Sequence, residues 1–249
     1  MPDKSRHSAP TTTVACRCIL SGAARAFCLT VLASCSGRSI PSDLEGGRVA
    51  LAVRTAQAQH RVTAELLETD DDTGEGVDLT DALWKYSAIT WRPYGLATSA
   101  AGRNNVYTWR PGQLIEQLSR RPPIREQRCS SAPLPSHGVN PTDVLLRLVT
   151  GSVTVGGVSV STRSSDSEVG FVAGRDYLLL VETCPGNIAL NAYGPYSVFP
   201  LGRNGTFVAA ASSGRPFTEQ VLQLGNVTGL RKRIRSLQIA PRQGIPGNR

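Results

Sequence analysis

Residues 152–161 read Ser-Val-Thr-Val-Gly-Gly-Val-Ser-Val-Ser, and no other stretch constrains the fold as tightly. Two adjacent glycines accept the positive φ angles of a primed two-residue turn without steric cost. A turn there sets Val155 opposite Val158 and Val153 opposite Val160. The four valines then share one face of the hairpin, and Thr154 and Ser159 fall on the other.

The surrounding sequence extends this β character. Tyr86–Trp91 alternates large and small residues, and Asn105–Trp109 is rich in β-formers. Asp143–Val149 and Tyr177–Glu182 are apolar runs of strand length, the second entered through a Gly174-Arg175-Asp176 turn. Three shorter strands are expected over Ile188–Tyr193, Tyr196–Leu201 and Thr206–Ala211, separated by Gly-Pro and Gly-Arg-Asn-Gly turns. Residues 119–142 carry Pro122, Pro123, Pro133, Pro135 and Pro141, a density that excludes a regular strand or long helix. With 24 glycines and 16 prolines in 249 residues, short strands joined by turns suit the chain better than a helical bundle. Residues 229–238 place Leu230, Ile234 and Leu237 on one helical face. An all-β domain over 83–212 is therefore expected, followed by a C-terminal helix and basic tail over 213–249.

Cysteine placement speaks to compartment. Four of six cysteines (Cys16, Cys18, Cys28, Cys35) lie in the first 35 residues. Lys4, Arg6, Arg17 and Arg25 precede the run Ala26–Cys35, which ends in Ala33-Ser34-Cys35. A positive leader, a short apolar segment and small residues before a cysteine have the layout of a lipoprotein signal over 1–35, with Cys35 as the lipidated residue. Its apolar segment is far too short to span a bilayer as a helix. A second candidate cut follows Ala56-Gln57-Ala58, so the mature chain starts at Cys35, at Gln59 or at neither. Removing the leader leaves Cys129 and Cys184, which in an exported domain read as one disulfide, and otherwise as two thiols. Export to the periplasm or cell surface, with possible anchoring through lipid, is the expectation.

Charge is unevenly spread along a chain of net charge +8. Residues 65–81 carry eight acidic side chains and no basic one, which makes 36–82 an expected acidic linker. Asp70-Asp71-Asp72-Thr73-Gly74-Glu75 lacks the alternating ligands and the twelfth-position glutamate of a calcium loop. Arg231, Lys232, Arg233 and Arg235 form a basic cluster, placed either on a helix docked to the domain or against anionic lipid. No zinc spacing and no cofactor motif is present. For catalysis, the body offers His60 and His137, both in loop or linker segments, no G-x-S-x-G elbow, and scattered carboxylates at Asp143, Asp166, Glu168, Asp176 and Glu182. A non-enzymatic role is expected.

The order of signals from Trp84 to Ala211 resembles a family of uncharacterised exported bacterial proteins with a small β-barrel domain. The pieces that carry the resemblance are Ser87-Ala88-Ile89, Val106-Tyr107-Thr108, the Gly151–Val160 hairpin, Phe171-x-x-Gly174-x-x-Tyr177-Leu178-Leu179-Leu180, and Gly205-Thr206-Phe207-Val208. More loosely, such domains resemble the OB-like barrel of netrin and metalloproteinase-inhibitor modules. The resemblance implies a small antiparallel OB-like barrel or sandwich and an extracytoplasmic place. It implies no activity. The function expected is a binding or structural module of the cell envelope, with an unknown protein or envelope component as partner and no small-molecule substrate. The alternative is an OB-like single-stranded nucleic-acid binder, with Tyr86, Trp91, Tyr107 and Trp109 as stacking surfaces and Arg92, Arg103 and Arg110 along the groove. Export makes nucleic acid the less favoured partner.

Overall fold

The computed structural model describes residues 39–68, 75–122, 129, 143–208 and 215–239. Ten strands are described: β1 Thr63–Leu67, β2 Ser87–Pro93, β3 Thr98–Ala101, β4 Val106–Gln117, β5 Asp143–Leu148, β6 Gly151–Val155, β7 Val158–Arg163, β8 Tyr177–Cys184, β9 Ile188–Asn191 and β10 Val198–Pro200. The helices are α1 Arg48–Ala58, α2 Leu79–Lys85, α3 Pro216–Gln223 and α4 Val227–Ile239.

Five strands close a barrel. The pairs β2–β4, β4–β5, β2–β8 and β8–β9 are antiparallel, and β5–β9, which is parallel, completes the ring. Side chains fill the interior: Ile89, Trp91, Leu146, Leu148, Tyr177, Leu179, Val181 and Ala189 form one buried cluster. Each alternates along its strand with a residue of the opposite face, as period-2 geometry requires. Closure leaves no free edge in the ring, which makes a small barrel a stable solution for a strand-rich chain.

The outward face of β2 and β8 carries Ala88, Leu178 and Leu180, and α2, α3 and α4 cover it with Leu83, Phe217, Val221, Leu230 and Ile234. The Leu230–Ile234–Leu237 stripe of α4 packs here as its spacing predicts. A second, three-stranded sheet runs in the order β1-β7-β6. The β6–β7 hairpin has the expected register, Val155↔Val158 and Val153↔Val160, with Gly156 and Gly157 at φ 56° and 78°. Val155, Val158 and Val160 join Val49 and Val53 of α1 in a separate core.

Three expectations are corrected. The fold is mostly β rather than all-β, with two helices after the barrel instead of one and two before it. It is not wholly antiparallel, since β5–β9 and β1–β7 are parallel. And the stretch 36–82, expected as a linker, holds α1, β1 and the start of α2 in its described part. Val49, Ala50, Val53 and Ala56 recur at helical spacing and are all buried, so the run Val49–Val53 considered as a second signal segment lies within a packed helix, with Leu51 exposed on its other side. The cut after Ala58 would fall at the last residue of that helix. Asp70–Asp72, the leader with Cys35, and most of the proline-rich loop 119–142 lie outside the described residues. Pro122 follows the end of β4, which continues to Gln117.

Candidate functional site

The barrel opens at the C-terminal end of β8. Ile89, Leu114, Val144 and Ala189, all from the interior cluster or packed against it, floor a pocket of about 360 Å³. Gln117, Arg120, Thr183 and Asn187 also line it. The β8–β9 turn, with Gly186 at φ 77° and Asn187 at φ 59°, shapes one side, and both residues are types that tolerate the left-handed region. The lining combines an apolar floor with a few polar groups, the usual make-up of a binding pocket.

The N-terminal end of β8 is plugged. Phe171 packs edge-on against Trp91 and Tyr177, with ring centroids 5.3 and 5.1 Å apart, and the Arg110 guanidinium lies 5.7 Å from the Phe171 centroid. The Trp91 indole N–H donates to the Val144 carbonyl at 3.1 Å. Gly112 makes this packing possible: a Cβ there would stand 2.2 Å from Trp91 Cε2. Beside the plug, Arg92 donates two hydrogen bonds to Asp176, at 2.6 and 3.0 Å, which raises the guanidinium pKa further above its usual value. The Tyr94 hydroxyl donates to the Asp143 carboxylate, and that hydrogen bond, with burial and the nearby negative charge, pushes the phenol up to about 12.

Three of the carboxylates that the sequence offered for acid–base work are engaged in structural contacts. Asp143 accepts from Tyr94 and Asp176 from Arg92. Asp166 accepts from the Val149 amide at 2.8 Å and the Asn191 amide nitrogen at 2.7 Å, tying the end of β5 to the end of β9. Glu168 is exposed at the end of the 3-10 turn Ser165–Glu168. His60 sits just past α1 at φ 53°, and His137 lies outside the described residues.

Cys129 and Cys184 form a disulfide, with their Cα atoms 5.8 Å apart. Cys184 is the last residue of β8, and Cys129 packs against Tyr107, Trp109, Leu145, Ile188 and Leu190 on the outward face of β4, β5 and β9. Arg147 is buried there beneath the Tyr107 ring, 4.9 Å from its centroid.

The aromatics considered for base stacking are all buried: Tyr86 is 2% exposed, Trp91 0%, Tyr107 5% and Trp109 1%. They form no surface platform. Arg103 lies elsewhere, its carbonyl accepting from the Val49 amide at the start of α1. Of the basic cluster, Arg231 forms a bidentate pair with Glu116, which raises its pKa, and Arg233 donates to the Thr80 hydroxyl at 2.9 Å. Lys232 and Arg235 point to solvent from the docked helix.

The barrel pocket was not legible in the sequence, because its lining comes from β2, β4, β5, β8 and β9 and exists only once the ring is closed. Nor was Arg121, whose Nε donates to the Leu83 carbonyl at 2.6 Å while its guanidinium stacks 4.9 Å from the exposed Trp84 ring. Burial lowers the pKa of Arg121. No helix among the described residues is long and apolar enough to cross a membrane. No family model, curated protein or solved structure matches the chain.

Proposed function

We propose that this chain is an exported, non-enzymatic OB-like barrel that serves the cell envelope as a binding or structural module. The observation that carries the reading is the outward face of β4 and β5. Taken in chain order, the barrel strands β2, β4, β5, β8 and β9 pair as 1-2-3-5-4-1, a closed five-stranded ring that supports the OB-like reading. In such barrels the face of the second and third strands receives oligonucleotides. Here that face carries Tyr107, Trp109, Leu145 and Arg147 and is buried against Cys129 and its disulfide partner. Bases have no aromatic to stack on there, which favours a protein or envelope partner over a single strand.

Export is supported by the disulfide, since such bonds persist in oxidising compartments, and by the basic, apolar and small-residue order that ends at Cys35. Cys35 stands four positions before Ser39, the first described residue, so a cut at Cys35 leaves every described element in the mature chain.

The test is intact mass and subcellular fractionation of the chain expressed in a bacterium. A membrane-bound species beginning at a lipidated Cys35, with Cys129 and Cys184 oxidised, is the expected result. A cytoplasmic chain retaining residues 1–35 with both thiols reduced overturns the reading.

A further inference from the structure

The barrel hides its edges, but the small sheet does not. β1 pairs in parallel with β7, and in that geometry alternate residues turn their peptide groups to opposite sides. The Val62 carbonyl accepts from the Ser159 amide at 2.8 Å, and the Glu68 amide donates to the Arg163 carbonyl at 3.0 Å, so the even-numbered residues face β7. Thr63, Glu65 and Leu67 therefore turn theirs outward. The Leu67 carbonyl is met by Arg48 Nη2 at 2.8 Å. The outward peptide groups of Thr63 and Glu65 have no partner among the described residues.

The flanks of this edge are apolar. Leu51 is 66% exposed, Val62 72% and Leu67 62%. Between α1 and β1 runs a groove of about 360 Å³, with Leu51 and Ala52 on the helix side and Arg61, Thr63 and Glu65 on the strand side. Natural sheets blunt such edges with proline, lysine, other charges or a bulge, and Val62–Leu67 carries only the one charge of Glu65.

We propose that a second copy of this chain covers the edge, the two β1 strands pairing antiparallel about a two-fold axis to make one continuous sheet in the order β6-β7-β1-β1-β7-β6. A two-fold contact must be self-complementary. With Thr63 opposite Glu65 of the second copy, each pair exchanges backbone hydrogen bonds through the groups now unmet, and the axis repeats them. Arg61 then lies diagonally across from Glu65 of the second copy, on the same face and within reach of it. Among the described residues neither Arg61 nor Glu65 forms an ion pair within its own chain. The same symmetry brings the two α1 helices together over one face, so that each Leu51 closes the groove of the other copy. An unrelated extended peptide would meet the edge but leave this charge pair and both leucines unmatched. That is why a second copy is the occupant.

Sedimentation velocity of the full chain across the micromolar range tests this. A concentration-dependent species of twice the monomer mass is expected. Glu65→Pro removes only an outward amide and leaves the β7 ladder intact, and Leu51→Lys changes only an exposed side chain. Each should weaken dimerisation at least about tenfold with the melting temperature of the monomer preserved. Arg61→Glu should weaken it as well, and Arg61→Glu combined with Glu65→Arg should restore it. A chain that stays monomeric at every concentration overturns the proposal. So does a dimer indifferent to both Glu65→Pro and Leu51→Lys, or a monomer whose edge takes up an added extended peptide instead.

Discussion

Gly112 shows how much a single residue can carry in a filled barrel. Its α-carbon lies flat against the Trp91 indole, and Trp91 is wholly buried at the centre of the interior cluster. Gly112→Ala would drive a methyl group to 2.2 Å from the ring, with Phe171 and Tyr177 packed close by. Overpacking of this kind costs about 1–3 kcal/mol, and the rigid surroundings place it near the top of that range. The melting temperature should fall by roughly 6–12 °C, measured by circular dichroism, with the near-ultraviolet tryptophan signal changed. Tyr94 makes a second prediction at this scale. Its phenol is raised to about 12 from the usual value near 10, so the stability it contributes with Asp143 is complete below about pH 10 and is lost as pH rises through about 12. Absorbance at the tyrosinate band, taken as the difference between the parent chain and Tyr94→Phe, should show that titration. Asp143→Ala should bring it down towards the ordinary tyrosine range.

Whole elements were readable where local chemistry settled them. The Gly156-Gly157 hairpin folds in the expected register, because the two-residue glycine turn fixes the pairing and that pairing puts all four valines on one face. α4 docks through Leu230, Ile234 and Leu237 for the same kind of reason. α1 was obscured because its apolar stretch of five residues resembles a signal segment, and β1 because Glu65 and Glu68 add to an acidic count that suggests a linker. Both are held by tertiary contact: α1 by the valines of β7, β1 by the β7 ladder. The barrel mouth was illegible, since no local pattern reports which five strands will meet. The disulfide acts at the scale of elements, tying β8 to the segment between β4 and β5 across a sequence separation of 55 residues. Closing such a loop is worth about 4 kcal/mol in the chain-entropy model. Cys129→Ser with Cys184→Ser should therefore lower the melting temperature by roughly 8–16 °C. Reducing the parent chain should reproduce the shift, and an unchanged melt would show that the bond does not constrain the unfolded chain.

For the whole molecule, the decisive boundary is where the folded chain must begin. Leu44, Val49, Val53 and Ala56 are buried against Val155, Val158 and Val160, and the start of α1 is sewn to the barrel side of the molecule by the Arg103 carbonyl. Gly47 lies so close to Arg103 that a Cβ there would stand 2.0 Å from its carbonyl oxygen. A mature chain starting at Gln59 would lose all of this. Exposing the partners of two valines and a leucine costs on the order of 5 kcal/mol, a sum comparable with the net stability of an ordinary domain. A chain starting at Ser39 removes none of the described elements. Expressed side by side, the chain from Ser39 should give a cooperative melt like that of the full chain. The chain from Gln59 should aggregate or melt without cooperativity, because β7 would present its valines to water. Equal melts would mean that α1 is dispensable, and cleavage after Ala58 would again be compatible with the fold. The expected difference would set aside Gln59 as a start and leave a cut at Cys35 or no cut at all, and either keeps the outward edge of β1 beside the helix that shapes its groove.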